Sequence, residues 1–104
     1  MHLPPFLTQD ADGEIHLTGH RIGLYTVVRE HQEGRSAEQI AGEYPTLPLA
    51  LVYKVLAFYL ETQPEVNAYV EAYQAELERL EAVAPGPGVL KVRRLMEGRQ
   101  AEPQ

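Results

Sequence analysis

The spacing of apolar residues changes character at Leu24. Between Phe6 and Leu17 short apolar runs flank an Asp-Ala-Asp-Gly cluster, where Gly13 can supply the positive φ that a hairpin loop requires. The pattern predicts two strands, Phe6–Thr8 and Glu14–Leu17. Such a hairpin must lie on something, because an isolated one is marginal in water. From Leu24 the period is helical. Leu24, Val27, Val28 and His31 fall at i, i+3, i+4 and i+7 and predict a first helix that ends at Gly34. Ile22, just ahead of Gly23, is placed to staple onto Val27 and fix how the chain enters that helix.

The next stretch, "GRSAEQIAGEYPTLPLALVYKVLAFY", predicts two helices across a tight turn. Ser36 and Gln39 have the spacing of a capping box, Ile40 and Tyr44 are the apolar anchors, and Pro45 ends the helix. The third helix is predicted over Leu49 to Glu61 with two apolar stripes: Leu49, Val52, Leu56 and Leu60 form one, and Leu51, Val55 and Phe58 the other. A helix apolar on both sides belongs in an interior or an interface. Pro64 suits the first turn of a fourth helix. There Val66, Val70, Tyr73, Leu77 and Leu80 form a seam of a/d type, and Glu65, Glu71, Glu76, Glu78 and Glu81 give an acidic exterior. This helix should reach about Val83, where "APGPG" stops it. The predicted architecture is mainly α: a short N-terminal β-hairpin, a helix-turn-helix bundle and a long fourth helix. Residues 1–84 form the folded domain, and residues 85–104 a hinge and a basic amphipathic C-terminal arm.

Composition sharpens this picture in three ways. A chain of 104 residues with 44% hydrophobic content can fill only a modest core, so self-association is expected. The expected dimerisation residues are Leu51, Val55 and Phe58 on the third helix and Val66, Val70, Tyr73, Leu77 and Leu80 on the fourth; a homodimer or higher even oligomer follows. There is no cysteine, no basic-then-apolar leader and no apolar run long enough to span a membrane, so a soluble cytoplasmic protein is the expectation. The net charge of −6 is uneven. Residues 1–84 carry five Lys and Arg against thirteen Asp and Glu, a balance of −8, while residues 85–104 carry four against two, a balance of +2. An acidic body opposes phosphate binding.

Candidate chemistry is sparse. His2, His16, His20 and His31 show no metal-ligand spacing on a helix, and no cysteine completes a site. The fourth-helix glutamates read as a solvated face. Ser36 and Thr46 read as a cap and a turn residue. No glycine-rich phosphate loop occurs, so neither an enzyme nor a cofactor is expected. The arm is different. Val89, Leu90, Val92, Leu95 and Met96, interleaved with Lys91, Arg93 and Arg94, suit an element that folds on a partner.

The segment from Leu17 to Val70 resembles domain-of-unknown-function family 433, small bacterial and archaeal proteins described as antitoxin-like (VapB-type). The resemblance rests on Gly19, Arg21 and Ile22 before the first helix, on Gly34, Ser36, Glu38 and Ile40 opening the second, and on the Tyr44, Pro45, Leu47 turn before an apolar third helix. It implies a homeodomain-like helix-turn-helix and a role beside a toxin, commonly a PIN-like nuclease with metal-binding carboxylates. On that basis Arg21, Arg35, Thr46, Ala50 and Lys54 are the candidate DNA contacts, and Val89, Leu90, Val92, Arg93, Arg94, Leu95 and Met96 the candidate toxin contacts. Two departures weaken the DNA side. Pro48 stands where the family usually has a capping Thr or Ser, and Ala50 and Leu51 occupy positions often charged. The leading expectation is a dimeric DNA-binding antitoxin that neutralises its toxin through the arm. The other is a protein-interaction module that does not bind DNA.

Overall fold

Asp10 builds the turn from which the fold starts. Its carboxylate accepts the amides of Asp12 and Glu14, each at 3.0 Å, and its carbonyl accepts the amide of Gly13, which sits at φ +90°. The computed structural model describes residues 1–83 of the chain. The arm assigned to residues 85–104, with its candidate toxin contacts, lies outside the described residues. On either side of the turn, β1 (Leu7–Gln9) and β2 (Ile15–Leu17) pair antiparallel, with Leu7 opposite Leu17 and Gln9 opposite Ile15. Each strand begins one residue later than the pattern predicts. Phe6 lies inside a turn closed by the Leu7 amide on the Pro4 carbonyl, and the Glu14 carbonyl closes the loop by accepting the Asp10 amide. Leu7, Ile15 and Leu17 all point into the core.

Four helices follow: α1 (Leu24–Gln32), α2 (Ala37–Glu43), α3 (Leu49–Glu61) and α4 (Gln63–Val83). Ile22 and Val27 are both buried at the entrance to α1, as a hydrophobic staple requires. Gly34, at φ +94°, ends α1 in a Schellman turn: its amide reaches the His31 carbonyl, and the Arg35 amide reaches the Glu30 carbonyl. The Ser36 hydroxyl then accepts the Gln39 amide while the Gln39 side chain accepts the Ser36 amide, the reciprocal box expected from the sequence. Tyr44 caps the far end of α2, and the Leu47 amide returns to the Tyr44 carbonyl across the turn into α3.

α3 packs on α1, α2 and α4, and its buried side chains are Val52, Val55, Leu56, Phe58 and Tyr59. The stripe expected to run from Leu49 to Leu60 is only half inside: Val52 and Leu56 are covered, whereas Leu49 is 40% and Leu60 57% exposed. At about 100° per residue that stripe straddles the boundary of the buried arc, so its two ends fall on the solvent side.

α4 closes the remaining side of the core. Val66, Val70 and Leu77 of its seam are buried within the one chain, and Tyr73 and Leu80 are half-buried. Three tyrosines tie α4 to the first half of the molecule. The Tyr69 hydroxyl accepts the Ile15 amide at 2.8 Å, Tyr73 donates to Glu14 at 3.1 Å, and the Tyr73 ring stacks on Tyr25 at 4.4 Å. Burial raises the Tyr69 phenol to about 12 and lifts Tyr73 as well. Desolvation also raises the Glu14 carboxyl, against the opposing pull of the Tyr73 hydrogen bond.

Because the Leu77 side chain is covered by its own chain, Leu77→Ala is expected to destabilise the fold by roughly 2–5 kcal/mol. Urea unfolding should show the same loss at low and high protein concentration. A loss present only at high concentration would put Leu77 in an interface between chains.

Candidate nucleic-acid interface

The α2–turn–α3 unit is the arrangement with which helix-turn-helix proteins present one helix to DNA. Its solvent side holds several of the candidate DNA contacts. Thr46, Ala50 and Lys54 are exposed and follow one another along the turn and the first half of α3, so the structure groups three of the five candidate DNA contacts. α3 starts at Pro48 without a side-chain cap, in keeping with the missing Thr or Ser. Arg21, the fourth candidate, is exposed on a separate segment, between β2 and α1.

Arg35, the fifth, is committed elsewhere. Its guanidinium lies 3.1 Å from Glu30 and 2.6 Å from Glu33, and its Nε is 3.9 Å from Glu43. The hydrogen bond from Arg35 to Glu33, followed by the charge of Glu30, holds the guanidinium pKa above its ordinary value. One cation among three carboxylates leaves a net negative spot, which repels phosphate. Glu30 is the anchor of this group. It is 1% exposed, and the Tyr44 hydroxyl donates to its other oxygen at 3.4 Å. The Schellman turn explains the geometry, since its 6→1 bond stacks Arg35 over the last turn of α1, where Glu30 lies.

The periodicity of apolar residues does not reveal this cluster. Its signal is a glutamate three residues after the buried Val27 and five before an arginine, with a helix-ending glycine between. His31, placed on the apolar stripe of α1, meets the edge of Tyr59 at 5.8 Å. Among the described residues no three of the His, Asp and Glu side chains gather as a metal ion would require.

Apart from Glu61 at its end, the rest of the outward face of α3 is apolar. Leu49 is 40%, Tyr53 49% and Leu60 57% exposed, and Ala50 and Ala57 lie beside them. Lys54 is the only cation on the helix, and among the described residues it enters no ion pair. Tyr53 donates its hydroxyl to Glu38 of α2, which holds that carboxyl below the usual range and pushes the phenol up. A groove-reading helix offers Arg, Lys, Asn or Gln to base edges. This one offers leucine, tyrosine and alanine with a single lysine, Lys54.

Of the residues expected to dimerise the chain, Val55, Phe58, Val66, Val70 and Leu77 are buried inside a single copy, and Leu51, Tyr73 and Leu80 are half-buried. The large apolar side chains that remain most exposed on the helices, Leu49, Tyr53 and Leu60, were not among them.

The family model described as "Protein of unknown function (DUF433)" matches residues 9–59, from the end of β1 to the last turn of α3, and the chain belongs to that family. No curated protein and no solved structure matches it.

Removing the guanidinium while leaving Glu30 buried should expose the cost of a buried carboxylate deprived of its cation. Arg35→Ala is expected to lower the urea midpoint clearly, and Glu33→Ala to lower it less, because Glu33 is solvated. Equal effects would show that the buried carboxylate does not depend on Arg35.

Proposed function

We propose that this DUF433 protein is an antitoxin-like, non-catalytic cytoplasmic component of a toxin–antitoxin pair that acts by contacting protein. In this reading the helix-turn-helix core is a docking scaffold, and the arm of residues 85–104 engages a nuclease partner of the PIN-like class. The observation that carries the choice of protein over DNA is the outward face of α3, with three large apolar side chains and one cation. The −8 balance of residues 1–84 and the sequestration of Arg35 support it. The toxin–antitoxin setting itself rests on the family resemblance.

For the arm, Val89, Leu90, Val92, Leu95 and Met96 supply apolar anchors, and Arg93 or Arg94 reaches the carboxylate cluster of the nuclease, where a guanidinium can bond bidentately. Ordering such a segment costs about 1–2 kcal/mol per residue in backbone entropy, so the apolar anchors must contribute much of the affinity. Truncation after Pro85 should abolish capture and inhibition of the neighbouring gene's product. Arg93→Ala or Arg94→Ala should relieve inhibition with a smaller loss of capture. A truncated chain that silences the nuclease as well as the intact one contradicts the assignment.

One observation favours a second role as an operator-binding regulator: Thr46, Ala50 and Lys54 are exposed in sequence order across the turn and the start of α3. Binding of the isolated protein to DNA from its own operon is expected to be weak and to fall steeply with salt, because few cations work against an acidic body. Lys54→Ala should weaken it several-fold further. Nanomolar binding at physiological salt by the protein alone would establish the regulator and overturn the preference for protein.

A further inference from the structure

The exposed residues of α3 have an order of their own. Ala50, Tyr53, Ala57 and Leu60 are spaced 3, 4 and 3, the a/d repeat of a helix that packs on another helix. All four lie outside the core, Tyr53 at 49% and Leu60 at 57% exposure. Along the seam their sizes alternate: small, large, small, large. Reversing the helix gives large, small, large, small. Two copies of α3 laid antiparallel, with a two-fold axis midway between Tyr53 and Ala57, therefore set Tyr53 against Ala57 of the second copy and Leu60 against its Ala50. Every large side chain meets a small one, which is how facing layers interdigitate without voids or overlap. A two-fold interface requires this kind of self-complementarity, because the same patch serves both sides. A parallel pairing would set tyrosine on tyrosine and leucine on leucine.

Charge points to the same occupant. Each chain carries −6, so two copies repel unless they meet where charge is scarce. The outward arc of α3 carries only Lys54 and Glu61, both along one edge of the seam; Leu49 flanks the other edge, and the nearby Glu38 of α2 is bonded to the Tyr53 hydroxyl. By contrast, the outward side of α4 carries exposed Glu65, Glu71, Glu76, Glu78 and Glu81. From this we infer that the partner of the exposed α3 face is a second copy of the chain, docked α3 to α3 in antiparallel register. The inference rests on the reading of that face as protein-binding, and it names a different surface from the α4 seam. A single pair of short helices is a small interface, so the dimer is concentration-dependent. Across the two-fold the Lys54 side chains approach one another at the solvent edge, so added salt tightens the dimer, opposite to its effect on DNA binding.

The test is sedimentation velocity of the full-length chain alone, across micromolar to submillimolar concentration and from about 0.05 to about 0.5 M salt. Wild type is expected to shift from monomer to dimer, and more readily at high salt. Ala57→Arg, at an exposed position, should stay monomeric with an unchanged far-UV spectrum and melting temperature. Ala57→Tyr should weaken the dimer at least tenfold by setting tyrosine against Tyr53. The swap Tyr53→Ala with Ala57→Tyr restores large against small across the axis and should recover most of that loss. A wild type that stays monomeric throughout, or an Ala57→Arg chain that dimerises as wild type does, overturns the inference. So does a dimer abolished by truncation after Pro85 but untouched by Ala57→Arg, which would mean that the C-terminal segment makes the contact. No DNA or nuclease enters the experiment, so its failure is distinct from a failure to bind the neighbouring gene's product.

Discussion

A helix that is apolar on nearly every side cannot be covered all round by a domain this small. α3 is such a helix, and the rest of the molecule is arranged around the half of it that can be covered. α1, α2 and α4 bury Val52, Val55, Leu56, Phe58 and Tyr59, and the hairpin seals the far side of α1 with Leu7, Ile15 and Leu17. The other half, with Leu49, Tyr53 and Leu60, is left in solvent. Burial of apolar surface stabilises by about 25 cal/mol per Å², so an uncovered stripe of this kind is a standing tendency to associate.

The electrostatics follow the same division. The Glu30 carboxylate is buried where α1 meets α2, and it draws Arg35 back over the turn along with Glu33 and Glu43. A cation that could have faced phosphate is spent on the internal joint. What remains on α3 is Lys54, beside Tyr53 bonded to Glu38. Two helices across a short turn are an arrangement that DNA-reading motifs also use, and the apolar surface of α3 is what supports the proposed protein partner. Fold and function are separable in this way, because recognition resides in side chains and the backbone can be shared.

Much of this was legible in the sequence, and the limits have physical causes. The span Leu49–Glu61 is legible because proline precedes it and another proline opens the next helix, so the boundaries are punctuated. The Ser36–Gln39 capping box was legible because its two hydrogen bonds are local. The α4 seam was visible as a pattern, but periodicity says only that a face is apolar, not which chain covers it. Here Tyr69 and Tyr73 anchor that face to the hairpin of the same molecule. Leu49 and Leu60 share a 3-4-4 stripe with Val52 and Leu56, but that stripe runs along the boundary of the buried arc, and which side of the boundary a residue falls on is decided only by the neighbouring elements. The Glu30–Arg35 pair depends on the Schellman turn at Gly34, which brings residues five apart into contact.

In the function proposed above, the outward face of α3 binds protein. Backbone-amide NMR of the full-length protein, recorded as its concentration is raised, tests this most directly, because each residue reports its own environment. Concentration-dependent shifts are expected, centred on Ala50, Tyr53, Ala57 and Leu60, with Val66, Val70 and Leu77 of α4 unmoved. Shifts centred on α4 instead, or an α3 face that stays silent while shifting on addition of operon DNA, would contradict this reading.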